Sequence, residues 1–132
     1  MIVENWMTPA PVVLPPETGL LEIRALFRHN TSRYVPIVDD GALVGVVSDR
    51  DVLEAISPLL DAPGESHREA TLRTAADIMT PNPITVGPQT SMVEAAKRMI
   101  EAEASALIVV SRSGALVGIL TASDVLRASS VA

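Results

Sequence analysis

The sequence contains no cysteine, which excludes disulfide bonds, thiolate metal sites and cysteine nucleophiles. Aromatic side chains are scarce as well, because Trp6, Phe27 and Tyr34 are the only three. Three rings are too few for a surface that stacks the bases of single-stranded nucleic acid. Lys97 is the only lysine and the net charge is −6, which argues against binding to DNA or to an anionic membrane.

Long apolar runs are also absent. The most continuous one, ALIVV at 106–110, has the length of a strand and is far too short to cross a bilayer. The first residues, MIVENWMTPAP, lack the basic region and apolar run of a signal peptide. We therefore expect a cytoplasmic protein that interacts with neither membrane nor nucleic acid.

An internal repeat dominates what the sequence does contain. MTPAP at 7–11 recurs 72 residues later as MTPNP at 79–83, and GALVG at 41–45 recurs 73 residues later at 114–118. One copy alone buries too little surface to be stable, so we expect the two copies to pack about a pseudo-two-fold axis. The predicted organisation is repeat 1 at 1–56, a linker at 57–76 and repeat 2 at 77–132.

Each copy predicts the element order β-α-β-β-α, so the predicted fold class is α/β (α+β). Prolines and a glycine bound two short predicted strands, and two near-continuous apolar runs predict buried strands that each enter a hairpin. These four strands are predicted at 12–14, 84–86, 34–38 and 106–110, and LVGVV and LVGIL are predicted as the second strands of the two hairpins. The MTPAP and MTPNP segments are predicted to form turns that lead into the first strand of each copy.

Two helices per copy complete this prediction. Apolar residues at helical spacing predict helices over 19–30 and 91–103, and Ser91 with Glu94 predicts a capping box at the start of the second. The closing helices are predicted to start at DVLEA and DVLRA. Prolines, a Pro-Gly pair and dense charge predict a surface connection between the copies.

The heptapeptides GVVSDRD at 45–51 and GILTASD at 118–124 occupy matching places before the closing helices. A hydroxyl residue followed by an acid three positions later is typical of a helix N-terminus, and such a cap contributes about 1 kcal/mol. The same residues also suit a nucleotide, because a carboxylate binds ribose hydroxyls and helix amides bind phosphate. Both interpretations remain open at this level.

Two details favour a ligand. A capping box prefers Glu or Gln, whereas both copies use the shorter Asp, which suggests that the carboxylates of Asp51 and Asp124 point elsewhere. Gly45 and Gly118 interrupt apolar strands, where glycine often marks a bulge or a close approach of another backbone.

The order MTPxP, T-x-x-x-E, VPIVD and GALVGVVSDRDVL resembles the CBS domain, named after cystathionine β-synthase. The resemblance covers residues 5–56 and 77–129, so the chain resembles a stand-alone CBS pair, or Bateman module. In that family the Gly-x-x-Ser/Thr-x-x-Asp element lines a cleft between the two repeats and commonly binds adenosine nucleotides.

The resemblance implies two sets of ligand-binding residues, one in each repeat. Asp51 and Asp124 are implied to hold ribose hydroxyls, with Ser48 and Thr121 near phosphate or ribose. Other members are implied to flank the base or to form the walls: Val12, Tyr34, Val35, Pro36, Val46, Val47, Ile84, Ala106, Leu107, Ile119 and Leu120.

The two copies differ where a phosphate would need positive charge. Arg33 and Arg50 in the first copy correspond to Ser105 and Ser123 in the second. We therefore expect the more anionic ligand at Asp51, whereas the site at Asp124, with Ser123 beside it, favours a nucleoside-like ligand or none. Taken alone, each arginine is more typical of a solvated surface.

The function implied is a regulatory sensor that binds AMP, ADP, ATP or S-adenosylmethionine, with no obligatory cofactor, and signals to a separate protein client. We expect a homodimer. We also expect no enzymatic activity, because no nucleophile–base pair or metal ligand set is apparent. The alternative is a ligand-free scaffold for dimerisation and protein interaction.

Overall fold

The computed structural model describes residues 1–29, 32–61 and 63–131. Its α-helices are α1 (Leu20–His29), α2 (Asp49–Ile56), α3 (Gly64–Thr71), α4 (Ala75–Ile78), α5 (Met92–Ala102) and α6 (Ala122–Ser129). Its strands are β1 (Thr8–Pro9), β2 (Tyr34–Asp39), β3 (Ala42–Ser48), β4 (Thr80–Pro81), β5 (Thr85–Val86), β6 (Ala106–Val110) and β7 (Leu116–Thr121). Short 3-10 turns occupy Val3–Asn5 and Ser57–Leu59. The mixed α+β class is therefore confirmed.

The chain divides into two compact units. The central unit is Val12–Asn82, and the terminal unit combines Met1–Pro11 with the residues from Pro83 onward. The limits of the units differ from those of the sequence repeats, because Met1–Pro11 belongs to repeat 1 and yet lies in the unit that contains most of repeat 2.

The central unit contains a three-stranded sheet in the order β2-β3-β4. The β2–β3 hairpin turns at Asp40 and Gly41, which have φ values of 49° and 82°. Helices α1, α2 and α4 contribute to the core, because their apolar residues recur on one face of each helix. The buried core residues of this unit are Leu20, Ile23, Ile37, Val47, Val52, Ala55 and Ala75.

The terminal unit contains a four-stranded sheet in the order β1-β7-β6-β5. Strands β6 and β7 form the predicted antiparallel hairpin, with Gly114 at a φ of 86°, and β5 pairs with β6 in parallel. The 3-10 turn Val3–Asn5 places Val3 in the core. The buried core residues of this unit are Val3, Val86, Met92, Ala95, Met99, Leu107, Val109, Leu120 and Ala128.

The MTP segments are exchanged between the two copies. Strand β1, from repeat 1, pairs with β7 of repeat 2, and β4, from repeat 2, pairs with β3 of repeat 1. The prediction of a turn is therefore incomplete. Each segment is first a strand of two residues, and the chain turns at the following residue, Ala10 or Asn82, whose φ is 44° or 52°.

The predicted strand at 12–14 is wrong. Only Leu14 forms a bridge, in parallel with Ile37, through its N–H to Pro36 and its carbonyl to Val38. The ladder ends there because Pro15 and Pro16 have no N–H to donate. Its counterpart at 84–86 is confirmed as β5, one residue shorter.

The other predicted elements are present with small shifts. Helices α1 and α5 match the predictions for 19–30 and 91–103, although residue 30 lies outside the described residues. The predicted capping box at α5 is only half formed. The Ser91 hydroxyl accepts the N–H of Glu94 at 3.1 Å, whereas the Glu94 carboxylate accepts a bond from Arg98 at 3.4 Å.

Candidate ligand-binding site

The first heptapeptide forms a complete capping box at the start of α2. The Ser48 hydroxyl accepts a hydrogen bond from the N–H of Asp51 at 3.0 Å, and Oδ2 of Asp51 accepts one from the N–H of Ser48 at 2.8 Å. Each residue thus satisfies a backbone donor that the helix itself leaves unpaired. The capping interpretation of Ser48 is therefore confirmed.

The second heptapeptide repeats this box at the start of α6. Oδ2 of Asp124 accepts the N–H of Thr121 at 2.8 Å, and the Thr121 hydroxyl accepts the N–H of Asp124 at 3.3 Å. The other carboxylate oxygen of Asp124, Oδ1, accepts a hydrogen bond from the Arg127 guanidinium at 2.9 Å. Asp124 is consequently buried, with 5% of its surface exposed.

A third acid of the same kind occurs outside the heptapeptides. At the start of α4, Oδ2 of Asp77 accepts the N–H of Thr74 at 2.8 Å. The spacing Thr-x-x-Asp therefore serves a helix N-terminus here without the preceding glycine and apolar pair.

The two details that favoured a ligand have structural explanations. The inference that the aspartates point away from their helices is wrong, because in both boxes Oδ2 of the aspartate accepts the cap N–H. A Cβ on Gly45 would lie 2.9 Å from Cγ of Met79 and 3.0 Å from the Thr80 carbonyl oxygen. A Cβ on Gly118 would meet Met7 and Thr8 in the same way. Glycine therefore admits the exchanged MTP strand.

The strand registers bring each set of predicted ligand residues together. In the central unit Tyr34, Val35 and Pro36 lie opposite Ser48, Val47 and Val46. In the terminal unit Ala106 and Leu107 lie opposite Thr121 and Leu120. Ile84 lies beside this hairpin, because its carbonyl accepts the N–H of Ile108 at 3.0 Å.

Side-chain burial divides these residues into two groups. The side chains of Val47, Leu107 and Leu120 belong to the hydrophobic cores, so they are not available to a base. Val35, Pro36 and Ile119 are also buried. The half-exposed members are Tyr34, Val46, Ile84 and Ala106. Val12 is exposed and precedes the single bridge at Leu14.

The polar members lie at the same strand–helix junctions. The carbonyl of Arg33 accepts the N–H of Asp49 at 2.9 Å, which holds exposed Arg33 beside the first residue of α2. Arg50 pairs with Glu54 at 3.2 Å on the exposed side of α2, in agreement with the surface interpretation. Ser123 is exposed in the first turn of α6.

A polar depression of about 200 Å³ lies beside Asp51 within the central unit. It is lined by Asp51, Glu54, Ala55, Arg73, Asp77 and Ile78. Sequence reasoning missed Arg73, Asp77 and the partner of Asp124, Arg127. The spacing Asp-x-x-Arg at 124–127, against Asp-x-x-Glu at 51–54, was the available signal for Arg127.

The CBS domain family model matches residues 3–58 and 75–131. An inosine-5'-monophosphate dehydrogenase from Korarchaeum cryptofilum is 35% identical over 92% of this chain, which spans only 23% of that enzyme. A CBS domain-containing protein from Dictyostelium discoideum is 38% identical over 96% of this chain and 89% of its own length. The chain also spans 63% of the Arabidopsis thaliana CBS domain-containing protein CBSX2.

Two solved structures of CBS proteins are complexes with a nucleotide. CBSX2 in complex with AMP is 32% identical, with a TM-score of 0.79 over 98% of this chain and 96% of that one. The CBS domain of a bacterial CNNM/CorC family Mg²⁺ transporter in complex with ATP is 27% identical, with a TM-score of 0.78 over 96% and 85%.

In the part of the chain that the structure describes, no helix has the length and apolarity that a membrane crossing requires. The family match covers both copies of the internal repeat and both capped heptapeptides. The chain therefore belongs to the CBS domain family and contains a tandem CBS pair.

Proposed function

We propose that this CBS pair is a regulatory module that senses an adenosine nucleotide of the AMP, ADP or ATP type through the residues around Asp51. One observation supports this site above all. Asp51 is half-exposed, and among the described residues its carboxylate accepts a hydrogen bond only through Oδ2, which leaves Oδ1 as an acceptor. A carboxylate oxygen that still has its acceptor capacity can accept hydrogen bonds from the hydroxyls of a ribose.

The positive end of α2 supports phosphate binding at the same place. Exposed Arg33 lies next to Asp49, the first helical residue, and the helix dipole favours an anion there. Arg50 is one residue further along, although its guanidinium is engaged by Glu54. An incoming phosphate competes with that exposed ion pair, which contributes little stability.

Half-exposed Tyr34 and Val46 support contact with the base. Tyr34 lies opposite Ser48 in the β2–β3 ladder, and Val46 lies two residues before Ser48. The AMP complex of CBSX2, which is 32% identical over nearly the whole chain, supports an adenosine nucleotide as the ligand. S-adenosylmethionine remains a second ligand to be tested.

A sensor signals only if the ligand binds its two states with different affinities. We infer that the chain passes this signal to a separate protein client. The homodimer, the cytoplasmic location and the lack of enzymatic activity also stay predictions.

A ligand-free scaffold is the second candidate function. It is favoured by complete capping boxes, which explain Ser48 and Asp51 without any ligand. It is also favoured by Leu53 and Leu126, which occupy equivalent repeat positions and are 66% and 70% exposed. Large apolar side chains that are exposed at equivalent places in both copies are available for burial against a partner.

Thermal unfolding with AMP, ADP, ATP and S-adenosylmethionine distinguishes the two candidates. A nucleotide present at about 100 times its Kd stabilises the folded state by about 2.7 kcal/mol, which raises the Tm measurably. Inosine monophosphate controls for a general effect of nucleotides. If none of the adenosine compounds raises the Tm at millimolar concentration, the sensor proposal is overturned and the scaffold is favoured.

A further inference from the structure

The carboxylate of Asp124 is fully engaged, in contrast to that of Asp51. Oδ2 of Asp124 accepts from the N–H of Thr121 and lies 3.1 Å from the Thr121 hydroxyl, while Oδ1 accepts from Arg127 at 2.9 Å. Its side chain is 7% exposed. A ribose at Asp124 therefore has to displace a charge-assisted hydrogen bond before it makes one.

Arg127 is itself anchored to Trp6. Its guanidinium carbon lies 5.8 Å from the centre of the Trp6 ring, a distance at which a cation is attracted to the aromatic face. The same guanidinium donates a longer hydrogen bond to the Trp6 carbonyl, at 3.4 Å. Trp6 packs against the core of the terminal unit, so it holds Arg127 over Asp124.

The repeat supplies no such cover at Asp51. The residue that corresponds to Arg127 is Glu54, which cannot donate to a carboxylate and pairs with Arg50 instead. The residue that corresponds to Trp6 is Ile78. Glu54 and Ile78 line the polar depression of about 200 Å³ beside Asp51, so the equivalent space is open there.

We propose that Arg127 and Trp6 form a cover that closes the Asp124 carboxylate, so that the CBS pair binds one nucleotide per chain, at Asp51. Arg127 acts as a positioning residue, because it restricts the ligand through Asp124 and contacts no ligand itself. This inference rests on the proposed nucleotide-sensing function. It differs from the expectation based on Arg33 and Arg50, which concerned phosphate charge alone.

Isothermal titration with AMP tests the cover by stoichiometry. We expect one AMP per chain for the natural sequence and two for Arg127→Met, which removes the charge and keeps the aliphatic stem over Trp6. Adding Asp124→Ala to Arg127→Met should return the stoichiometry to one. Arg98→Met is the matched control, because Arg98 forms an exposed ion pair in the same unit without touching a heptapeptide.

Trp6 provides a second measurement, since it is the only tryptophan. Saturating AMP should leave its fluorescence emission unchanged in the natural sequence and shift it in Arg127→Met. Two AMP per chain in the natural sequence, or one in both proteins, would overturn the cover and leave the proposed function standing. Absence of AMP binding by every variant would overturn both. If Arg127→Met does not fold, Arg127→Glu, which installs the residue of the first copy, is titrated in its place, with the same outcomes decisive.

Discussion

Oδ2 of Asp51 accepts the backbone N–H of Ser48 at 2.8 Å, and the Ser48 hydroxyl accepts the N–H of Asp51 in return. The carboxylate of Asp51 is therefore needed both for the start of α2 and for the proposed ligand. Because Oδ2 is engaged in the cap, Oδ1 is the oxygen that distinguishes binding from capping. Substitutions at Asp51 separate the two roles only when they preserve the cap.

Asp51→Asn makes this separation. The amide oxygen can still accept the N–H of Ser48, so the free energy of unfolding should change by no more than about 0.5 kcal/mol. Loss of the charge should weaken AMP binding by about 1.5–3 kcal/mol, the range for hydrogen bonds to a charged group. Urea unfolding and isothermal titration measure the two quantities. Glu94→Gln, at the third position of α5 in the terminal unit, is the control and should leave AMP affinity unchanged. Unchanged affinity in Asp51→Asn would favour the cap as the sole role.

Ser48→Ala should destabilise the nucleotide-free protein by about 1 kcal/mol, because it removes the acceptor for the N–H of Asp51. Urea unfolding without ligand measures this cost. Ser123→Ala is a matched control, since Ser123 is an exposed serine in the first turn of α6. A loss in Ser48→Ala no larger than that in Ser123→Ala would contradict the importance of the cap.

Gly45→Ala should destabilise the fold by about 1–3 kcal/mol, because the new Cβ overlaps the Met79 side chain and approaches the Thr80 carbonyl. Thermal unfolding measures the loss. In a Met79→Ala background the added cost of Gly45→Ala should be smaller, although the backbone contact at 3.0 Å remains. Gly64→Ala is the control, since no described atom beyond its chain neighbours and its own helix backbone lies within 4 Å of its Cβ position. Equal Tm values for the two glycine variants would refute this explanation of Gly45.

Much of the fold follows from local pattern, and the exchange of the MTP strands does not. Apolar runs and turn residues specify β2, β3, β6 and β7, because burial and hairpin geometry act over short sequence distances. By contrast, MTPAP meets either LVGVV or LVGIL with almost the same chemistry. Sequence pattern alone therefore does not decide which copy it pairs with. The recurrence of Met7 with Gly118 and of Met79 with Gly45 becomes interpretable only once the pairing is known.

The candidate site was predicted in outline for a similar reason. The repeat correctly identified Ser48 as equivalent to Thr121 and Asp51 as equivalent to Asp124. The two capping boxes confirm that equivalence. The difference between the copies depends on Arg127, which contacts both Asp124 and Trp6. Arg127 and Trp6 are 121 residues apart in the sequence. The spacing Asp-x-x-Arg indicates the contact with Asp124, whereas the contact with Trp6 leaves no local signal in the sequence.

The proposed homodimer leads to a final prediction about the exposed leucines. Leu53 on α2 and Leu126 on α6 are large, solvent-exposed apolar side chains at equivalent repeat positions. Burial between the two chains of a dimer would remove both side chains from water. A charge placed at either position is costly to bury unpaired. Leu53→Glu and Leu126→Glu should therefore shift the protein from dimer to monomer in sedimentation velocity at micromolar concentration. Leu72→Glu is the control, because Leu72 is 75% exposed and follows α3 rather than lying on either closing helix. A natural sequence that sediments as a monomer, or a dimer that survives both leucine substitutions, would rule out Leu53 and Leu126 as contacts of a dimer interface.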